Sequence, residues 1–243
     1  MVVVQQNSKE ESVLKIRIKF AKRGAMKFIS HLDVMRYFQK VIKRANIDIA
    51  YSEGFNPHQI MSFASPLGVG LESEAEYVDI EVHSTMSSSD AIKVMNDVSV
   101  ADIPILSYRL LEDNATKAMT LVSAAKYFVS FREEYMPKFD FDKAIDEFMS
   151  KNSFVITKET KKGHKDMDIR PLVYEIDKVE SGYVMTLCAG SVDNLKPELL
   201  FESIYSFNNE IFNDISLEIT RLEMYGNDNG KLIPLSDYAT EII

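Results

Sequence analysis

A change of hydrophobic period near the start of the chain constrains the fold more than any other feature. Residues 13–22 alternate, with Ile16, Ile18 and Phe20 on one side and Lys15, Arg17 and Lys19 on the other. A period of two predicts a half-buried strand, here with a cationic outer face. Leu32, Met35, Phe38, Ile42 and Ala45 then recur at helical spacing, while Arg36, Lys40 and Lys43 share another stripe. Ser30 stands where an N-cap is needed, and Asp33 follows three positions on, as in a capping box. A cationic strand therefore feeds a cationic helix.

The rest of the chain extends this order. Residues 51–73 hold Gly54, Pro57, Pro66, Gly68 and Gly70, which punctuate regular structure. Residues 77–82 alternate as a strand, 87–96 read as a helix opened by serines, and 103–111 as a strand. One short strand hidden in the turn-rich region would complete β-α-β-β-α-β, the ferredoxin-like pattern. The second half repeats it: strand 126–132, helix 140–150, strands 154–158, 172–179 and 183–189, a helix opened by Pro197, and strand 215–224. The expectation is an α+β fold of two tandem ferredoxin-like domains, 13–111 and 118–225. A boundary near 112–118 and a weakly ordered tail, 226–243, complete it.

Charge is segregated along this plan. Ten Lys/Arg and one acid, Asp33, lie between Lys15 and Arg44, leaving 18 basic and 36 acidic residues elsewhere in a chain of net charge −9. Basic charge gathered on one face attracts phosphates whatever the total. The single Cys188 excludes an intramolecular disulfide, a cysteine-built zinc site and an iron–sulfur cluster held by this chain alone. Residues 1–12 carry too short an apolar run for a signal peptide, and no stretch reads as a bilayer span, so a cytoplasmic protein is expected.

Two clusters carry candidate chemistry. One is Phe28-Ile29-Ser30-His31-Leu32-Asp33. The other is Tyr51-Ser52-Glu53-Gly54-Phe55-Asn56-Pro57-His58. Capping and turn chemistry account for Asp33 and for Asn56-Pro57, but not for Tyr, Phe and His crowding into a glycine-bearing loop. Such a loop beside cations offers stacking surfaces, as single-stranded RNA sites do. Core packing is the competing reading for Tyr51 and Phe55.

These motifs, with Phe20-Ala21-Lys22-Arg23-Gly24, Arg36, Arg44-Ala45, Ser62-Phe63-Ala64, Pro66-Leu67 and Glu74-Ala75-Glu76-Tyr77-Val78-Asp79, resemble the radical SAM-linked protein family, of undefined function. Asp168-Ile169-Arg170-Pro171 and Asn194-Leu195-Lys196-Pro197 extend the resemblance. It implies a standalone protein that works with a separate radical SAM enzyme. One departure is Gln59-Ile60, where the family has Pro and a basic residue after the histidine.

The functional expectation is a non-catalytic accessory presenting RNA to that enzyme. Lys22, Arg23, Arg36, Lys40 and Arg44 would hold phosphates, joined by Lys161, Lys162 and Lys165 from a hairpin arm in a second basic segment, 158–170. His31, Asp33, Tyr51, Ser52, Gly54, Phe55, Asn56, Pro57 and His58 form the motif loops, with Tyr51, Phe55, Asn56 and His58 on a base or on the partner. Asp168 and Arg170 read equally as an internal ion pair. No cofactor, metal site or membrane contact is expected. The rival is a metal-independent endoribonuclease using His31 and His58 as base and acid. A protein–protein adaptor is the third reading.

Overall fold

The computed structural model describes residues 13–160 and 163–243. Residues 1–12 and two expected phosphate ligands, Lys161 and Lys162, fall outside it. In chain order the first half contains β1 (Leu14–Lys22), α1 (His31–Arg44), β2 (Met61–Phe63), β3 (Glu72–Val82), α2 (Ser88–Asp97) and β4 (Ile105–Leu111). The second contains α3 (Ala118–Leu121), β5 (Val122–Phe131), α4 (Phe141–Met149), β6 (Val155–Thr160), β7 (Gly163–Asp168), β8 (Val173–Val179) and β9 (Gly182–Cys188). It ends with α5 (Pro197–Phe207), β10 (Leu217–Asp228) and β11 (Lys231–Pro234).

The architecture is α+β: one nine-stranded mixed sheet with few helices. Its order is β4-β1-β3-β10-β5-β9-β8, with β2 also on β3 and β11 on β10; β6 and β7 form a separate two-stranded sheet. Every pairing is antiparallel except β3 with β10, where Glu72 faces Thr220 and Ser73 faces Arg221. That short parallel contact joins the halves. Two apolar clusters form, one around Ile16, Phe38, Ile80 and Met95, the other around Val129, Phe148, Leu187 and Phe201, and the second also takes in Ala64, Ala75 and Tyr77 from the first half.

Local chemistry explains why α1 forms where it does. Ser30 Oγ accepts from Asp33 N and the Asp33 carboxylate accepts from Ser30 N, so the capping box is closed. Val34, Phe38, Val41 and Ile42 bury one side of the helix, each contributing about 1.5–3 kcal/mol. Asn46, at φ 53°, turns the chain out. Ile47 N donating to Ile42 O at 3.1 Å closes a Schellman-type end.

Two expectations change together. Residues 226–243 are not a weakly ordered tail: β11 pairs with β10, and Thr240 bridges Leu110 on β4. The polar side of β1 is not an outer face either, since Arg17 is completely buried. The reason is shared. The C-terminal segment lies against that side of β1, and the Leu235 carbonyl accepts from Arg17 at 3.0 Å.

Candidate nucleic-acid interface

The ten cations of the basic stretch meet two fates. Those of β1 and the turn after it are bonded within the protein, with Arg17 and Lys22 buried. Arg17 grips Asp79 with two parallel bonds, 2.8 and 2.9 Å, and spends its other donors on the Leu235 and Thr116 carbonyls. Lys19 pairs with Glu223 at 2.6 Å, and Lys15 donates to the Asp113 carbonyl. Lys27 reaches Glu72 at 3.4 Å.

Lys22 and Arg23 therefore do not stand free for phosphates. Lys22 is 3% exposed, because its parity puts it on the Ile16–Phe20 side of β1, beneath α1. Its Nζ donates to the Lys27 carbonyl at 3.3 Å. Burial pushes its pKa down, opposed by the Glu76 carboxylate nearby. Arg23 is held by Glu74, with Nε 2.6 Å from Oε1, and that hydrogen bond raises its pKa.

On α1 the outcome reverses. Arg36, Lys40, Lys43 and Arg44 are all exposed. Arg36 has only a 3.6 Å approach to Asp33, whose own carboxyl is held below its ordinary pKa by the Ser30 hydroxyl. Lys40, Lys43 and Arg44 have no ion pair or hydrogen bond among the described residues. The stripe runs about 12 Å along the helix. Lys43 belongs to it on equal terms with the three expected ligands, as the helical spacing already indicated.

The loop of residues 51–58 rises beside this stripe. Tyr51 bridges Gln59, Ser52 N donates to His58 O at 2.8 Å, and Ser52 Oγ meets His58 Nδ1 at 2.7 Å. Gly54, at φ 110°, occupies backbone space that other residues avoid. At the base, the buried Gln59 amide donates to the Gln39 carbonyl of α1 at 3.4 Å. The departure at residue 59 thus seats the loop on the helix. Phe55, Asn56 and Pro57 face solvent, and Tyr51 is half exposed.

The two motif histidines stand apart. His31 packs edge-on against Phe63 at 5.2 Å and borders a cavity of about 10 Å³ with Lys22, Phe63 and Glu76. His58 belongs to the loop that is tied to the middle of α1, eight residues further along the helix. No hydrogen bond or ring contact joins His31 to His58 among the described residues.

Other expected residues divide similarly. Lys165 is exposed on β7, in the separate hairpin. Asp168 and Arg170 do not form a side-chain ion pair. Asp168 accepts the Phe154 and Arg170 backbone N–H groups, and the guanidinium donates to the Met149 and Val173 carbonyls. Each is satisfied by backbone, because the end of α4 and the segment before β6 bring the Met149 carbonyl and the Phe154 N–H up to the turn between β7 and β8. Sequence reasoning missed the buried junction pair, Arg221 with Glu76 (Nε to Oε1, 3.0 Å), because 145 residues separate them. Among the described residues no group of three His, Cys, Asp or Glu is arranged to hold a metal ion, and no helix is long and apolar enough to cross a membrane.

A family model described as an uncharacterized protein conserved in bacteria, DUF2344, matches residues 15–197, which include both motif clusters and α1. This chain belongs to the DUF2344 family. No curated protein matches it in sequence. Among solved structures, a chain from "Crystal Structure of a Cbf5-Nop10-Gar1 Complex" is similar at TM-score 0.47 and 11% identity. The alignment covers 88% of this DUF2344 chain and spans half the length of that one.

Proposed function

We propose that this protein is an RNA-binding accessory that presents RNA to a separate radical SAM enzyme. One observation carries the RNA half of this reading. In a chain of net charge −9, the basic stretch leaves Arg36, Lys40, Lys43 and Arg44 on one exposed helix face beside an aromatic loop, with the long Arg36–Asp33 approach as the one ion pair among them within the described residues. Charges so placed hold backbone phosphates, and they act locally over about a Debye length, ~8–10 Å, whatever the net charge. The enzyme partner follows from the resemblance of the motifs.

We read each half as a ferredoxin-like unit, because β4-β1-β3-β2 and β10-β5-β9-β8 are the same fourth-first-third-second strand order, all antiparallel. In that reading β6 and β7 are an insertion in the second unit. The accessory role needs no catalytic pair, and no hydrogen bond or ring contact among the described residues joins His31 to His58.

The test is binding of total cellular RNA to the purified protein at low and moderate salt, with the Arg36→Glu/Lys40→Glu/Arg44→Glu variant beside it. Salt-sensitive binding that the variant loses is the expected result. No binding by either protein would overturn the proposal and make the cationic face a protein-docking surface.

A further inference from the structure

We infer that Phe55 is a stacking platform for an unpaired nucleobase, so that the RNA lying along α1 is single-stranded or looped where it meets residues 53–57. The inference rests on the RNA reading above and narrows its ligand class.

Three observations converge. First, Phe55 exposes its whole ring to water, whereas most phenylalanines of this chain pack into one of the two apolar clusters. Nothing within the described residues covers it.

Second, the tip that carries the ring is built in advance. Ile60 N donates to Ala50 O at 2.9 Å, Tyr51 bridges Gln59, and His58 N donates to Ser52 Oγ at 3.1 Å. These bonds zip the two arms up to Ser52 and His58, so only residues 53–57 project. Gly54 lets the tip turn through a positive φ, and the ring of Pro57 fixes that residue's own φ. A tip whose arms are already bonded loses less backbone freedom when a base stacks on its ring.

Third, the position is matched to phosphates. The Gln59–Gln39 bond roots the loop on α1, and Arg36 and Lys43 lie within about 60° of Gln39 around the helix. A strand whose base stacks on Phe55 has its neighbouring phosphates beside those cations. Duplex RNA offers no such partner, since its base faces are closed by stacking and only its shallow minor groove and backbone are presented. An exposed ring gains from a free base face and little from a duplex flank, while the cationic stripe attracts both. Asn56, next to the ring and exposed, supplies an amide for a base edge.

The experiment is fluorescence anisotropy on the full chain with two probes, a 12-nucleotide single-stranded RNA of mixed sequence and a 12-base-pair RNA duplex. Three proteins are compared: wild type, Phe55→Ala, and the Arg36→Glu/Lys40→Glu/Arg44→Glu variant. Phe55 touches no core, so its replacement leaves the fold intact, and circular dichroism verifies that. Phe55→Ala is expected to weaken single-strand binding roughly 5- to 150-fold, the range for loss of one base–aromatic stack, with Phe55→Tyr restoring it. Duplex binding should move by less than about twofold, while the charge variant weakens both probes. Equal losses on both probes, or none with Phe55→Ala while the charge variant still loses RNA, would overturn the stacking inference and leave RNA binding standing. Absence of binding to either probe by the wild type would overturn both.

Discussion

Arg17 on β1 and Arg36 on α1 come from one short basic stretch, yet the fold gives them opposite work. Arg17 has no exposed surface and all of its bonds go to Asp79 and two carbonyls. Arg36 stands in solvent with one long approach to Asp33. The difference lies in what covers each element. β1 is flanked by β3 and β4, overlaid by α1 on one side, and closed by the C-terminal segment on the other. α1 packs through its apolar side and is met by the 51–58 loop at Gln39, which leaves its cationic stripe in water. A cation in the first setting must be paired or it costs several kcal/mol, whereas in the second it costs almost nothing and stays available. Counting charges along the chain therefore overstates the exposed cationic surface about 2.5-fold in this protein: the stretch holds ten cations, and four of them form the exposed α1 stripe.

Breaking the interior half of the comparison should have the largest effect. Arg17→Met leaves the Asp79 carboxylate buried beside the Ala118 N–H without its cation, and stability should fall by about 3–5 kcal/mol in urea unfolding. A loss under about 1 kcal/mol would place Arg17 on the footing of a surface charge and dissolve the distinction.

The exterior half makes the converse prediction. The Arg36→Glu/Lys40→Glu/Arg44→Glu variant should hold its stability within about 0.5 kcal/mol per site. Its RNA affinity should fall, and the slope of log K against log salt should shrink by about 2, near 0.7 per lost phosphate contact on a single strand. A variant that unfolds instead would show that α1's cations are structural after all.

A smaller effect concerns the one acid of the stretch. Ser30→Ala removes the N-cap and should cost about 1 kcal/mol of stability. Asp33 then loses the hydroxyl donor that holds its pKa below the ordinary value. A lowered carboxylate pKa stabilises the fold above the unfolded value and is lost as pH falls through the folded one. The variant should lack that acid-side loss, and an NMR titration of the Asp33 carboxyl should move upward.

The smallest effect sharpens the boundary case, Lys22. Burial lowers its folded pKa below the model-peptide 10.5, so the unfolded chain binds more protons between the two values. Stability from this group should rise with pH across that window, opposite to a salt-bridged lysine. Lys22→Met should abolish the rise in the difference between wild-type and variant urea midpoints. An unchanged profile would mean that the Glu76 carboxylate outweighs the burial.

Much of this was legible in the residues. Ser30 and Asp33 announce α1 because capping is satisfied within four positions, and Pro197 opens α5 for a similarly local reason. The alternation of Ile16, Ile18 and Phe20 identifies a core face of β1; Lys22 shares that parity and is buried, although its charge made it an expected phosphate ligand. The loop of residues 51–58 was recognisable from its composition, although the Ser52–His58 clasp that stiffens it depends on a backbone path no local rule supplies.

What the sequence determined by itself is the short-range physics: periodicity, caps, turns, and the concentration of cations between Lys15 and Arg44. What only the tertiary structure decided is which of those cations meet water. Their neutralising partners, Asp79, Glu223 and the Leu235 carbonyl, lie 62, 204 and 218 residues away. Burial depends on which distant segment closes over a strand, and electrostatic cost follows burial rather than sequence.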